Sequence, residues 1–288
     1  MTQAPIALQT IVAANPSPLT GQGTNSFLLG RDQIAVIDPG PDLPEHRQAI
    51  IAAAGAGRIT HILVTHAHLD HSQGARALAD ATGATVYGFG PALAGRSPLM
   101  QRLAREGALD GGEGLDMAFV PDIQMRDGDR IETPEWTLTA IHTPGHFAGH
   151  LSFQSGGDIF CGDVVMDWSS TLISPPDGDL ADYFRSLSRL RESGAARLLP
   201  AHGDPIENPT VRIAELAAHR RKRTAQILAS LRDSPATAEQ LAHKIYAIPP
   251  HLIPAATRNV LAHLIALSEI GAIAPLSPIG TTTIFASP

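Results

Sequence analysis

Thr65-His66-Ala67-His68-Leu69-Asp70-His71 places three imidazoles and one carboxylate in seven consecutive residues. Imidazole nitrogen and carboxylate oxygen are the donors that borderline divalent metals such as zinc accept. A solvated polar loop seldom carries histidine at so dense and ordered a spacing, so the H-x-H-x-D-H run reads as part of a metal site. The run from Ile59 to Thr65 has the character of a buried strand. The histidines therefore leave a strand at its C-terminal end.

The same arrangement recurs downstream. Thr143-Pro144-Gly145-His146 follows the expected strand Trp136–His142. Asp163 closes Ile159-Phe160-Cys161-Gly162-Asp163, and His202 follows Leu198-Leu199-Pro200-Ala201. Two metals about 3.5–4 Å apart need roughly six or seven donors, with a carboxylate as an efficient bridge. These strand ends supply such a set.

Around them, the pattern alternates strands with helices. Asn25–Leu29 and Gln33–Ile37 read as strands parted by Gly30-Arg31-Asp32. Asp42-Leu43-Pro44-Glu45 has the form of a capping box opening a helix to about Ala54. Gln73–Ala81 reads as a helix and Thr85–Phe89 as a strand. Residues 91–118 read as a long loop or lid with one helix around Leu99–Arg105. Strands resume at Arg130–Ile131, Trp136–His142, Leu151–Gln154 and Asp158–Cys161, then a helix over Leu180–Glu192 and a strand at Arg197–Pro200. Two β-rich layers flanked by helices would accommodate this order. After residue 208 the pattern becomes helical: Thr210–Leu231, Thr237–Tyr246 and Ala255–Ile270 are amphipathic, and Ile273–Phe285 resembles a hairpin. Residues 1–208 and 209–288 thus read as two domains, the second of winged-helix type or a packing subdomain without a nucleic-acid role.

Composition sets outer limits. Of the 288 residues, 43% are hydrophobic, which fits a globular protein with a real core. The single Cys161 excludes an intramolecular disulfide framework and suits a reducing compartment. Met1 to Ala14 lacks a basic n-region and a sustained apolar h-region, and no apolar run approaches 18 residues. A cytoplasmic location without membrane contact is the expectation. Residues 1–208 carry 13 Lys and Arg against 24 Asp and Glu, whereas residues 209–288 carry 8 against 4. The basic run His219-Arg220-Arg221-Lys222-Arg223 reads as a solvated helix face, or as an RNA contact.

The order H-x-H-x-D-H, T-P-G-H, G-D and a late A-H-G resembles the metallo-β-lactamase superfamily from about residue 20 to 208. The usual P-G-H-G is Pro200-Ala201-His202-Gly203 here. The resemblance implies an α+β fold, a four-layer αββα sandwich with a small C-terminal winged-helix-like domain. It implies that His66, His68 and His146 hold one metal, that Asp70, His71 and His202 hold the other, and that Asp163 bridges them. Ile206-Glu207-Asn208-Pro209, Trp168-Ser169-Ser170-Thr171 and Pro175-Pro176-Asp177-Gly178-Asp179 resemble the lactamase-beta-like branch with a C-terminal winged helix, whose best-known activity is cleavage of single-stranded RNA. Glyoxalase II, a thioester hydrolase, shares the metal motifs.

The resulting expectation is a dinuclear hydrolase using two divalent ions, Zn2+ first, with Fe or Mn as alternatives. A water shared by two dications loses its proton near neutral pH, and the hydroxide would attack an ester, thioester or lactone of a small molecule. Asp70 could take or pass on the proton. Trp168, Ser169 and Ser170 are candidate substrate contacts. Asp38 and His150 are candidates to orient ligands from behind. Cleavage of single-stranded RNA is the alternative, and a non-enzymatic nucleic-acid-binding regulator is the third reading. His46, His61, His142, His219, His243, His251 and His263 read as surface or core histidines.

Overall fold

The computed structural model describes residues 7–109 and 114–288. The chain begins with β1 (Leu8–Val12), β2 (Asn25–Leu29), β3 (Gln33–Ile37), α1 (Pro44–Ala54), β4 (Arg58–Leu63), α2 (Leu69–Ser72), α3 (Ala75–Thr82) and β5 (Thr85–Gly88). It continues through α4 (Pro98–Arg105), β6 (Ile123–Gln124), β7 (Arg130–Glu132), β8 (Thr137–His142), β9 (Leu151–Ser155), β10 (Asp158–Gly162), α5 (Leu180–Glu192) and β11 (Arg197–Pro200). The last part holds α6 (Pro209–Asp233), α7 (Ala238–Ile245), α8 (Ile253–Glu269), β12 (Ala274–Pro275) and β13 (Phe285–Ala286).

Among the described residues, β1 to β6 form one six-stranded sheet in chain order, and a five-stranded sheet runs β11-β10-β9-β8-β7. The sheets face each other across Phe27, Ile37 and Leu63 on one side and Leu138, Phe153, Phe160 and Leu199 on the other. Ile34 and Val36 of β3 point outward together with Ile59 and Ile62 of β4, which a bulge at Thr60 brings to one face, and all four are covered by Ile50 of α1 and Leu78 of α3. On the far face, Ile159 and Leu198 pack under Leu180, Tyr183 and Leu187 of α5 and Ile213 and Leu216 of α6. The central strands of each sheet, such as β2, β3 and β10, are buried on both faces, so they lack a polar side and the four layers follow.

The same α6 belongs to two cores. Its first turns lie on the second sheet, while Ile227 and Leu231 enter a separate cluster with Leu241 of α7, Val260 and Leu264 of α8, and Phe285. Asn208 caps α6 by accepting from the Val211 N–H at 3.3 Å, with Pro209 in the first turn. That gives the Ile206-Glu207-Asn208-Pro209 motif its physical role. Asp179 likewise caps α5. No helix among the described residues is long and apolar enough to cross a membrane.

Several expectations need correction. The capping box at Asp42 does not form: α1 starts after Leu43 with no side-chain cap, and Asp42 instead accepts from Arg47 Nη1 at 2.6 Å. An i,i+5 ion pair replaces the reciprocal cap because Pro44 already supplies the first helical φ. β1 and β6 carry no legible pattern, since β1 is largely exposed and β6 spans two residues. The segment expected as a loop or lid does carry a helix, α4, but Met100 and Leu103 anchor it in the C-terminal core. Residues 110–113 of that segment lie outside the described residues. The basic run is not a uniform solvated face: Arg221 and Lys222 are exposed, but Arg220 is buried and Arg223 is half-buried over the Tyr246 ring at 4.1 Å.

Candidate metal centre

All the strand-end donors meet at one edge of the sandwich. β4, β8, β10 and β11 end within a few residues of His66, His146, Asp163 and His202. His68 follows two residues after His66, and the short α2 carries Asp70 and His71. His66, His68 and His146 bring ligand atoms within 4.8 Å of one another, as do Asp70, His71 and His202, and His66, His71 and Asp163.

Backbone carbonyls and oxygen side chains decide which ring nitrogen each histidine presents. His146 Nδ1 donates to the Leu172 carbonyl at 2.6 Å and His202 Nδ1 to that of Gly23 at 3.1 Å. His71 Nδ1 donates to Asp38 Oδ2 at 2.9 Å. Thr65 Oγ1 donates to Asp38 at 2.8 Å, so it accepts from His66 Nδ1 at 3.1 Å. In each case Nε2 is the atom left to face the centre. His66 Nε2 and His146 Nε2 lie 2.9 and 3.2 Å from His68 Nδ1. Nitrogen lone pairs converging so closely call for a cation between them.

Asp163 faces both groups. Its Oδ1 lies 3.4 Å from His202 Nε2 and 3.6 Å from His71 Nε2, while Oδ2 lies 3.7 Å from His146 Nε2. Asp70 Oδ2 lies 3.3 Å from His202 Nε2 and 3.4 Å from His71 Nε2. Both His71 Nε2 and Asp163 Oδ1 are buried without a hydrogen-bond partner among the described residues. Buried polar atoms are normally paired, so this pair of orphans is a further mark of a missing cation.

The electrostatics agree. Burial pushes His66 and His146 below the ordinary imidazole value, and burial with the neighbouring His146 takes His68 to about 3. Burial also opposes a proton on His202, but Asp163 and Asp70 outweigh it and lift the imidazole to about 10. His71 is raised in the same way against burial by Asp70, Asp163 and Asp38. The carboxylates Asp70 and Asp163, although burial disfavours their charge, are held ionised by His71 and His202. A neutral histidine group beside a group that demands positive charge suits nitrogen- and oxygen-ligated divalent metal.

The supporting residues are tightly placed. Asp38 is the one non-glycine residue with positive φ, 52°, among the described residues. Its carboxylate accepts from the Thr65 N–H at 2.7 Å, as well as from the Thr65 hydroxyl and His71. A strained backbone held by three hydrogen bonds is a mark of function rather than of an ordinary turn. His46, with no role evident in the sequence, donates to Ser26 Oγ, which in turn donates to the Asp38 carbonyl. Gly145, at φ 136°, lets the turn bearing His146 pass α5: a Cβ there would sit 2.4 Å from Tyr183 Cα.

Among the described residues, His150 hydrogen-bonds to no other histidine. Its Nδ1 donates to Thr143 Oγ1 at 2.9 Å and its Nε2 accepts the Asp163 N–H at 3.3 Å. It therefore fixes the backbone that carries Asp163. Replacing His150 by Ala should lower kcat about 10- to 100-fold, the usual effect of losing such a support. An inactive variant, as dead as one lacking Asp163, would show that His150 does more than hold Asp163 in place.

Above the cluster opens a cavity of about 290 Å³. His68, Asp70, His146, Asp163 and His202 form its floor, and Leu19, Met166, Trp168, Ser169, Ser170 and Asn259 are among its walls. His66 and His71 lie behind. The candidate substrate contacts Trp168, Ser169 and Ser170 are thus all in the wall. Asn259 carried no signal in the sequence; it is one polar residue on the apolar helix α8. Thr65 and Thr143, which set histidine tautomers, were legible only as neighbours of the ligand motifs. Cys161 is fully buried, and burial raises its thiol pKa, so it is not a nucleophile.

Comparison with known proteins agrees with this geometry. Residues 19–202 match the family model described as the metallo-beta-lactamase superfamily, and residues 237–275 match the beta-lactamase associated winged helix domain. A beta-lactamase-like protein 2 homologue from Caenorhabditis elegans is 30% identical over 260 residues, spanning 88% of this chain and 81% of its own. An atrochrysone carboxyl ACP thioesterase from Aspergillus chevalieri is 29% identical over 231 residues, 78% of this chain and 65% of its own. The crystal structure of a metallo-beta-lactamase family protein from Thermus thermophilus superposes with a TM-score of 0.77 at 27% identity, over 98% of both chains. Shared sequence, shared fold and a converged histidine–aspartate cluster lead to one assignment. The chain belongs to the metallo-beta-lactamase superfamily, as a hydrolase with a C-terminal winged helix domain.

Proposed function

We propose that this protein is a dinuclear metallohydrolase that cleaves a thioester of a small acyl group. His66, His68 and His146 would hold one ion, Asp70, His71 and His202 the other, and Asp163 both. The observation that carries this reading is the Asp163 carboxylate, whose two oxygens face different histidine groups at 3.4–3.7 Å. Bound divalent ions, zinc first and iron or manganese as alternatives, supply Lewis acidity for the carbonyl and an activated water. The protein does the rest. Asp163 and Asp70 stay ionised at neutral pH, and Asp70, at the cavity floor, is placed to accept a hydrogen bond from a water there and orient it, its own basicity lowered by His71 and His202. Trp168 and Leu19 line the cavity and offer an apolar surface to the acyl chain.

Three observations favour a small acyl substrate over RNA. The cavity wall contains no Lys or Arg among the described residues, so nothing there would neutralise phosphates. Arg220, from the basic run, is buried and committed to the protein interior. A cavity of about 290 Å³ is near the lower end for small-molecule sites. The thioester rather than the ester or lactone is supported by the thioesterase name of the Aspergillus relative.

The test is a panel of S-acyl thioesters, esters, lactones and single-stranded RNA, given to protein loaded with zinc, iron or manganese. Thioester turnover should exceed the others, and elemental analysis should find close to two equivalents of metal. A folded preparation that takes up at most one equivalent in excess metal would sink the dinuclear reading. Salt-sensitive RNA cleavage without thioester turnover would sink the substrate reading.

A further inference from the structure

The catalytic sandwich does not build the cavity alone. Ala255 and Asn259 of α8 stand four residues apart, on one helical face, and both line it. Asn259 is half-buried, and its Oδ1 accepts the Ile173 N–H at 3.0 Å and the Arg220 Nη1–H at 3.0 Å. Both partners can only donate, so the atom facing them is the amide oxygen. The orientation of the amide is thereby fixed. Asn259 Nδ2 makes no hydrogen bond to a described residue and is not fully buried, and Asn259 is one of the residues that line the cavity.

Arg220 makes this arrangement unusual. It is 1% exposed, and no carboxylate pairs with it among the described residues. Its guanidinium donates to the Thr171 carbonyl and to Asn259, and lies over the Tyr183 ring at 5.5 Å. An apolar side chain of similar size would fill this space without burying an unpaired charge. What the guanidinium adds is orientation. It holds Asn259 with one arm and, with the other, the Thr171–Ile173 strip, whose Thr171 hydroxyl and Leu172 carbonyl steady His146 Nδ1.

We propose that Asn259 is a substrate-binding residue that selects acyl groups bearing an acceptor oxygen: its Nδ2 donates to that oxygen in the cavity, with Arg220 and the Ile173 N–H holding the amide in place. The inference rests on the thioester reading of the site. It assigns the winged helix domain a share in substrate choice, through a neutral amide donor held in fixed orientation among apolar, indole and hydroxyl walls. A 3-oxoacyl thioester satisfies that donor. A plain alkyl thioester of the same length leaves it unpaired, which a site built to donate penalises.

Asn259→Asp is the informative variant. It keeps an oxygen for Ile173 and Arg220, and turns the cavity-facing donor into an acceptor. Asn259→Ala, which strands both donors, should instead lower Tm. The metal-loaded wild type and the Asp variant are compared on S-acetoacetyl- and S-butanoyl-N-acetylcysteamine. The readout is the ratio of kcat/KM for the two substrates, because their intrinsic reactivities cancel between enzymes. The ratio should fall at least about tenfold in the Asp variant, the loss of one hydrogen bond and its replacement by a repulsion. The fall should be mainly in KM for the acetoacetyl substrate, with metal content at the wild-type value and Tm at or above it, because the new carboxylate pairs with the Arg220 guanidinium. An unchanged ratio with an active wild type overturns the role of Asn259. A wild type that hydrolyses neither substrate overturns the thioester reading, and this proposal with it.

Discussion

Replacing Asp163 by Ala is expected to abolish hydrolysis while the sandwich stays folded. The carboxylate is the group that both sets of histidines share, through Oδ1 to His71 and His202 and Oδ2 to His146. Removing it takes away the shared donor, and His71 and His202 then keep only Asp70 and Asp38 as acidic neighbours. Loss of one well-placed stabilising donor typically costs about 10²- to 10³-fold in rate. Asp163 touches more than one part of the centre, so a drop of about a thousandfold or more is expected. Bound metal should fall by about one equivalent. The core should survive, because Phe160 and Cys161, not Asp163, pack the strand that carries it. Circular dichroism and elemental analysis on the same preparation check this, and a variant within tenfold of wild-type activity would refute the bridging role.

The second large effect is on stability. Arg220→Ala should destabilise the protein by about 3 kcal/mol or more, the scale of removing a large buried side chain that also satisfies buried polar groups. That corresponds to a fall of roughly 6–12 °C in Tm. The Thr171 carbonyl and Asn259 Oδ1 lose a donor, and a void opens beside Tyr183. Activity should fall with it, through the Thr171–Ile173 strip behind His146. Its neighbours in the basic run behave differently. Arg221 and Lys222 are exposed, so their joint replacement by Ala should alter stability by no more than about 0.5 kcal/mol and leave thioester turnover unchanged. If RNA were the substrate, the same pair would bind phosphates, and removing each charge would lower the salt slope of RNA binding by about 0.7. Thermal unfolding of both variants separates a buried strut from a solvated charge.

The contrast between Arg220 and Lys222 shows where reading the chain residue by residue works and where it fails. His66, His68, Asp70 and His71 are close in the chain, and the other donors each follow a recognisable strand. The candidate donors at strand ends are therefore written locally, in spacing and in apolar runs, and the sheets pack the strands so that these ends meet. The helical periodicities of α5, α6 and α8 were legible for the same reason: a 3.6-residue pattern repeats within one segment. β1 and the two-residue β6 left too weak a pattern, since an exposed or very short strand has no buried face to alternate.

Nothing in the order of residues distinguishes a buried arginine from a solvated one in His219-Arg220-Arg221-Lys222-Arg223. Burial there depends on which side of α6 faces Tyr183, Thr171 and Asn259, residues 37 to 49 positions away in the chain. The same holds for Asp38 with His71, His150 with Asp163, and Asn259 with the cavity. The candidate donors at the strand ends and the alternation of strands with helices were legible in local chemistry and periodicity. The tautomer of each histidine, the interior charge at Arg220 and the winged helix wall of the cavity arose from long-range packing, because a hydrogen bond is specified by where two groups end up in space and not by how either is spelled.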